Sequence, residues 1–252
     1  MRINLQILDF NIEKINSSGK LNDVDLVTIG DFSCYKKNIL SLNRRLLDSI
    51  RKIDKKVMLQ LPIVVKENEL PMMKEFADKV SPFFDGFVTG DLGLIKYLGK
   101  FKSKEIIYTT NVTNRAFSKI IRDEFNIGYV RPLMYKRTFI GEKIDFPKDV
   151  VIYGNMMINC ATFCYYSKDD LVENCRFGCR RSRSLVMNDE KLHLVGRSLI
   201  TENRFDIIDR IDDINDMNMA TIMDYNLEDS ELRKSIRRIK ERVERHEDNK
   251  IM

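Results

Sequence analysis

The cysteines are the residues of this sequence with the most specific chemistry. Four of the five lie close together in the stretch YGNMMINCATFCYYSKDDLVENCRFGCRR, and they are Cys160, Cys164, Cys175 and Cys179. The fifth, Cys34, lies far upstream in GDFSCYKK. A thiolate is the soft ligand that zinc and iron–sulfur clusters select, and a Cys-x3-Cys pair on one helical turn directs two sulfurs to one centre. The pattern therefore predicts a metal centre built from thiolates.

Three interpretations of these cysteines remain open on the residues alone. Unligated cysteine is a common core residue, but Cys175 and Cys179 lie in a polar, Arg-rich segment. Structural zinc with four thiolates is the second interpretation, although the paired Cys-x2-Cys knuckles of zinc ribbons are missing. An iron–sulfur cluster is the third. The residue pattern by itself supports zinc and an iron–sulfur cluster almost equally.

Composition is that of a soluble globular protein. The chain has 252 residues, 43% apolar and 32% charged, and its net charge of +5 is a mild excess that predicts no DNA partner. No run approaches a membrane span, and the first residues lack the apolar core of a signal peptide, so we expect a cytoplasmic protein without a membrane partner. In a reducing compartment, clustered cysteines indicate metal binding or catalysis rather than disulfides. With only two histidines, His193 and His246, neither a His-rich metal site nor a Ser/His/Asp triad is expected.

Stretches typical of β-strands alternate along the chain with stretches typical of α-helices. Short apolar runs, most of them ended by Gly or Pro, predict eight strands: Ile3–Leu8, Asp25–Gly30, Val57–Leu61, Gly86–Thr89, Glu105–Tyr108, Gly128–Arg131, Asp149–Tyr153 and Ala220–Met223. Apolar residues at helical spacing predict helices around 40–53, 70–80, 112–125 and 205–214. A further helix begins at Asp91–Gly93, and a charged helix covers about 227–246.

This alternation predicts an α/β fold, namely a single (β/α) TIM-barrel-like domain over residues 1–252. A doubly wound open sheet would show the same alternation and is the alternative. After strand seven we expect a cysteine-rich excursion over 154–183 and a small hairpin that joins Leu185–Met187 to Leu192–Val195. Barrel enzymes carry their chemistry on the loops after the strands. Since Cys34 follows strand two and the other cysteines follow strand seven, all five should project from one face of the barrel.

The cysteine-rich stretch, taken with IGDFSCYKKNILSLNRRLLDSI, resembles the collagenase-like peptidase family, family U32. Within that family the chain is most similar to the branch of proteins for oxygen-independent ubiquinone hydroxylation. There a strand ends in Tyr-Gly, a Cys and a Cys-x3-Cys pair follow, and a remote Cys follows an early acidic turn. Gly90–Gly93 and Thr110–Asn114 also stand where the family has an Asp-Leu-Gly turn and an Asn-rich turn. The resemblance covers Val24 to about Asp224.

That resemblance implies a barrel-like fold and a four-iron–four-sulfur (4Fe-4S) cluster, with zinc as the alternative metal. Matched residue by residue, the cluster ligands would be Cys34, Cys164, Cys175 and Cys179, whereas Cys160 has no counterpart in the family. The implied function is an oxygen-independent, hydroxylation-type modification of a small aromatic molecule or an RNA base, in anaerobic conditions. A non-catalytic, cluster-bearing subunit in a heterodimer with a second U32-family protein is one alternative. A peptidase is the other, but the chain has no His-Glu-x-x-His motif, and its histidines lie in the predicted hairpin and the last helix.

Polar residues at four predicted strand ends could bind a polar or anionic substrate on the cysteine face: Asn111, Asn114, Arg131 and Asn155. Ordinary capping of loops explains the three asparagines equally well. Asp91 directly precedes a helix, and we predict that it is an N-cap rather than a catalytic base.

Overall fold

The computed structural model describes residues 1–8, 21–32, 34–110, 119–121, 124–132, 146–161, 164, 183–187, 190–195, 197–214, 217–224 and 228–251. Of residues 110, 183 and 246–251 it describes the backbone alone. Most of the helix predicted over 112–125, and most of the cysteine-rich excursion over 154–183, therefore lie outside the described residues.

Eleven strands form one sheet in this part of the chain: β1 (Arg2–Ile7), β2 (Leu26–Ile29), β3 (Lys56–Gln60), β4 (Gly86–Thr89), β5 (Glu105–Thr110), β6 (Tyr129–Pro132), β7 (Lys148–Cys160), β8 (Arg183–Met187), β9 (Glu190–Val195), β10 (Ser198–Asp206) and β11 (Met217–Asp224). Strands β1 to β7 pair in chain order and in parallel. Strand β11 pairs in parallel with both β1 and β7 and closes the ring. Eight parallel strands thus form a barrel, which confirms the predicted TIM-barrel-like α/β fold and excludes the open sheet.

Five α-helices have both of their ends among the described residues: α1 (Tyr35–Ser41), α2 (Arg44–Ile50), α3 (Leu70–Val80), α4 (Leu92–Leu98) and α5 (Asp229–Ile251). Short 3-10 helices cover Glu67–Glu69, Ser81–Phe83 and Ile208–Asp213. Helix α4 begins after Asp91, whose side chain accepts a hydrogen bond from the backbone N–H of Leu94 at 2.9 Å. The predicted N-cap is therefore confirmed.

Two helix predictions were partly wrong. The helix predicted around 40–53 is two helices, because Asn43 adopts an extended backbone and its side chain caps α2 through the N–H of Leu46 at 3.0 Å. The helix predicted over 205–214 begins too early, since Phe205 still belongs to β10 and pairs with β7. A 3-10 helix replaces the remainder.

Apolar side chains form two layers, one on each side of the barrel wall. Outward-facing strand residues such as Val27 and Leu59 pack against the helices in the larger core cluster. Inside the barrel, towards the amino-terminal ends of the strands, a smaller cluster comprises Leu26, Met58, Val88, Ile107 and Met219. Since alternate residues of a strand face the same side, Thr28, Gln60, Thr109 and Thr221 follow as the next interior layer. The apolar cluster therefore closes the bottom of the barrel beneath a polar layer.

Strand β7 continues well beyond the point at which we predicted its end. Its first half pairs with β11, and its second half pairs antiparallel with β10, which continues to β9 and β8. The change of partner occurs at Gly154, where φ is +117° and a Cβ atom would lie 2.1 Å from the carbonyl oxygen of Met223. Only glycine fits that position. The predicted β8–β9 hairpin is confirmed, whereas β10 was not predicted.

Helix α5 is charged along most of its length, and its basic residues pair with acidic neighbours. Arg238 contacts Asp206 at 2.6 Å and Asp209 at 2.9 Å, and Lys240 contacts Asp23 at 2.7 Å. These ion pairs connect α5 to the end of β10, to the following 3-10 helix and to the segment before β2. None of the helices in the described part of the chain combines the length and the apolar character that crossing a bilayer demands.

Candidate functional site at the barrel mouth

The loop after β2 holds Cys34 in a buried position at the carboxyl end of the barrel. Gly30 turns the chain with φ of +126°, and a Cβ atom there would lie 2.7 Å from the carbonyl oxygen of Gln60. The Asp31 carboxylate then accepts a hydrogen bond from the backbone N–H of Cys34 at 2.9 Å. Asn38 fixes the same loop through the backbone N–H and carbonyl of Asp31. Cys34 is 6% exposed and directly precedes α1.

The other described cysteines lie at the same end of the barrel. Cys160 is the last residue of β7, where it pairs with Ser198 of β10, and Cys164 follows four residues later. Both are half-buried. Cys160 packs against an apolar cluster that includes Phe32, from the loop that carries Cys34. Loops that follow parallel strands lie at the same end of a barrel, so the loop after β2 and the segment after β7 come close together.

Cys160 is poorly suited to act as a thiolate. Burial raises the pKa of its thiol. The negative charge of Asp31 raises that pKa further, whereas a hydrogen bond with Ser198 and the charge of Arg197 oppose the shift. The raised pKa lowers the thiolate fraction at neutral pH, so the Cys160 thiol is a weaker nucleophile than an ordinary cysteine.

The predicted ligand set is only half described. Cys34 lies at the carboxyl end of the barrel and Cys164 follows the end of β7 by four residues, whereas Cys175 and Cys179 lie outside the described residues. Among the described residues, no group of three or more His, Cys, Asp or Glu side chains is arranged to hold a metal ion. Thiols are the ligands that such a centre selects, and in this respect the two described members fit it. The set of four remains a prediction.

Arg197 joins three of the loops at this end of the barrel. It lies between β9 and β10, is 2% exposed, and donates two hydrogen bonds to the Glu69 carboxylate, at 2.5 and 3.1 Å. Its guanidinium carbon lies 5.2 Å from the centre of the Tyr35 ring. Its carbonyl oxygen accepts a hydrogen bond from the N–H of Ala161 at 2.7 Å. Segments that follow β2, β3 and β7 thus meet at one residue.

A pocket opens inside the barrel mouth next to these loops, and its empty space, counted together with the open solvent at its entrance, is about 430 Å³. Its walls are mainly apolar and comprise Phe32, Ile63, Pro132, Val151, Met156, Met157 and Met223. Its floor is polar and comprises Gln6, Gln60, Thr109 and Arg131. Apolar walls with a few convergent polar groups are typical of small-molecule sites.

A buried hydrogen-bond network forms the floor of the pocket. Arg131 donates to Asp149 at 2.5 and 2.8 Å, and both side chains are almost fully buried. It also donates to the side-chain oxygen Oε1 of Gln6, and the Gln6 side-chain amide in turn donates to Oε1 of Gln60 at 3.0 Å. Thr221 donates to the other carboxylate oxygen of Asp149. The charge of Arg131 is therefore compensated inside the barrel, so that Arg131 orders the floor and does not present an unpaired cation.

Thr109 is the one floor residue whose polar group has no partner among the described residues. Its hydroxyl is buried, the residue is 4% exposed, and the side chain lines the pocket. A buried hydroxyl without a hydrogen bond is costly, and such groups are rare in folded proteins. A ligand or water in the pocket would satisfy it.

The structure describes two of the four predicted substrate-binding residues. Arg131 lies at the predicted end of β6 and lines the pocket. Asn155 lies in β7 beyond Gly154, donates to the carbonyl oxygens of Thr201 and Glu202, and is absent from the described lining. Asn111 and Asn114 lie outside the described residues.

Apart from Arg131, the polar floor was missed from the sequence. Its residues occupy alternate positions in otherwise apolar strands, as Asn4 and Gln6 do in INLQI. Polar residues at alternate positions usually indicate a solvent-facing side, but in a closed barrel the second side is an interior. The interruption of apolar strands by Asn, Gln, Thr and Asp was the signal that could have found the pocket.

No protein-family model matches the chain, and no curated protein sequence matches it. Among solved structures it is similar to orotidine 5′-monophosphate decarboxylase from Methanocaldococcus jannaschii, crystallised with the inhibitor BMP. The TM-score is 0.54 over 94% of this chain and 98% of that chain, with 14% sequence identity. At that identity the similarity shows the TIM-barrel fold alone.

Proposed function

We propose that this chain is an iron–sulfur protein of the U32 family that takes part in an oxygen-independent, hydroxylation-type modification of a small aromatic molecule or an RNA base. It would act in the cytoplasm in anaerobic conditions. The observation that supports this most is the shared location of the described cysteines and the pocket. Phe32, Val151, Met157 and Met223 line the pocket and belong to the apolar cluster against which Cys160 packs.

Different groups of residues would have different roles in this function. Cys34, Cys164, Cys175 and Cys179 would hold a 4Fe-4S cluster, which supplies electron transfer when bound. The apolar pocket walls would exclude water and contact the faces of a flat ring. The hydroxyl of Thr109 would orient a polar group of that ring, and the Arg131–Asp149 pair would keep the floor rigid beneath it.

Metal and sulfide analysis tests the cluster directly. We expect protein purified without oxygen to contain roughly four iron and four sulfide per chain and to absorb broadly in the visible range. The reason is that the predicted ligand set consists of four cysteines, and four thiolates hold a 4Fe-4S cluster. Stoichiometric zinc in colourless protein would contradict the proposal and favour the zinc alternative.

Thr109 tests the pocket independently of the metal. In Thr109→Val the hydroxyl is replaced by a methyl group of similar size, and we expect about fivefold weaker binding of 4-methylphenol, since one net hydrogen bond of about 1 kcal/mol is lost. Thr109→Ser retains a hydroxyl and should bind like the wild type. Toluene, which has no hydroxyl, should bind both variants equally. Ligand-detected NMR titration measures these affinities, and undiminished binding of 4-methylphenol to Thr109→Val would refute the assignment of Thr109.

One feature favours the second candidate, a non-catalytic, cluster-bearing subunit in a heterodimer with another U32-family protein. Strand β8 ends the described sheet order, and its side chains Leu185, Val186 and Met187 are 46%, 70% and 49% exposed. Three consecutive exposed apolar residues on an edge strand are typical of a pairing surface. Co-expression with a U32-family protein of the same source would distinguish the two candidates. A cluster-bearing complex that depends on Val186, with no binding of aromatic probes to this chain, would favour the subunit.

A further inference from the structure

We propose that Arg197 is a positioning residue for the cysteine centre, because it fixes the loop of Cys34 relative to the segment of Cys160 and Cys164. The effect of Arg197 on metal binding rests on the proposed function, whereas its effect on the relative position of the two cysteine segments does not. Arg197 acts on the cysteine segments through Tyr35, Glu69 and Ala161, which it contacts.

Arg197 contacts one residue adjacent in the chain to Cys34 and one adjacent to Cys160. Tyr35, which faces its guanidinium, directly follows Cys34 in the chain and begins α1. Ala161, whose N–H binds its carbonyl oxygen, directly follows Cys160 and precedes Cys164 by three residues. Arg197 therefore bridges the early and the late cysteine segments. Metal–ligand distances in proteins are held to about 0.2 Å, so such a bridge would matter to any centre that both segments share.

Glu69 makes this bridge rigid. The Oε2 atom of its carboxylate also accepts the backbone N–H of Lys66 at 3.1 Å, which fixes it at the start of the 3-10 helix after β3. Arg197 is thus held by a carboxylate that cannot rotate freely. A planar guanidinium can bind a carboxylate through two N–H groups and at the same time stack on an aromatic ring, which the ammonium group of Lys cannot do.

Packing alone does not require a buried ion pair here. Replacing such a pair by apolar or neutral groups of similar size often leaves stability unchanged, whereas removing one partner leaves a buried charge. Arg197→Met/Glu69→Gln therefore separates positioning from folding. The amide that replaces the Glu69 carboxylate would be uncharged and would still offer an oxygen to the N–H of Lys66. Arg197→Lys retains the charge, and Arg210→Met removes one partner of the exposed Arg210–Asp213 pair as a control.

Two measurements on full-length protein prepared without oxygen test the proposal. The first is the rate at which a chelator removes iron, and we expect at least a tenfold increase in Arg197→Met/Glu69→Gln at a melting temperature close to that of the wild type. The second is the rate of Cys34 alkylation by N-ethylmaleimide in iron-free protein, read by peptide mass spectrometry. We expect at least a tenfold increase there too, because the loop of Cys34 loses its anchor. Arg197→Lys should lie between the wild type and the double variant, and Arg210→Met should match the wild type.

The outcomes distinguish this inference from the function on which it partly rests. Wild-type rates of both iron release and alkylation in the double variant would overturn the positioning role while leaving the cluster intact. A wild-type protein without iron or sulfide would overturn the proposed function, and the alkylation rate alone would then decide the role of Arg197. If the double variant does not fold, Arg197→Lys decides, and wild-type rates in that variant would overturn the role.

Discussion

Cys34→Ala protein prepared without oxygen should be colourless and free of sulfide, whereas Cys160→Ala should retain nearly all of its iron and its visible spectrum. Cys34 belongs to the predicted ligand set and is held rigidly by Asp31 at the barrel mouth. A cluster that loses one of four thiolates is exposed to solvent and oxidation. Cys160 is outside the set, and burial raises the pKa of its thiol. Absorbance, iron and sulfide content measure the difference.

The pair serves as a matched comparison, since each variant removes one sulfur atom from the same end of the barrel. Both should unfold at similar denaturant concentrations once iron has been removed from all samples. If Cys160→Ala loses the cluster and Cys34→Ala keeps it, the ligand assignment is wrong and Cys160 takes the place of Cys34. If both variants lose it, Cys160 belongs to the surroundings on which the cluster depends.

Asp149→Leu should lower the free energy of unfolding by about 3–5 kcal/mol, because it leaves the guanidinium of Arg131 buried without a counter-charge. Both members of this pair are almost fully buried, and they are 2.5 Å apart. The double variant Arg131→Met/Asp149→Leu should recover most of the loss, since it removes both charges from the interior. Urea unfolding followed by circular dichroism measures each free energy.

The exposed Arg210–Asp213 pair is the control for this prediction. Asp213→Ala should change the free energy of unfolding by less than about 1 kcal/mol, because both charges remain solvated. An equal loss in Asp149→Leu and in the double variant would show that the interior tolerates the isolated charge of Arg131. The loss would then come from the missing Asp149 carboxylate and its hydrogen bonds, and not from an uncompensated charge on Arg131.

The barrel was predictable because its signals are local. Each strand is a short apolar run, and each helix up to α4 carries its apolar residues at helical spacing, so the alternation can be read without knowing any partner. The placement of Cys34 and Cys160 at one end also follows from a general rule for parallel strands. These predictions need only the order of the elements.

The features that were missed depend on partners far away in the chain. Strand β10 is a strand because the second half of β7 continues past Gly154 and offers it a hydrogen-bonding edge. Arg131 lies in the floor because Gln6, across the barrel, and Asp149, in the neighbouring β7, accept its hydrogen bonds. Neither arrangement leaves a pattern within one segment, since tertiary partners decide both.

Closure of the ring by β11 has a consequence for how the chain folds during synthesis. Leu5 must wait for Ile222, which is made much later, before its strand has both neighbours. Until then β1 and β7 both present open edges, and unpaired edges expose a growing polypeptide to aggregation. Such non-local pairing also slows folding. A metal centre held jointly by the Cys34 loop and the late cysteines can therefore assemble only after β11 has left the ribosome.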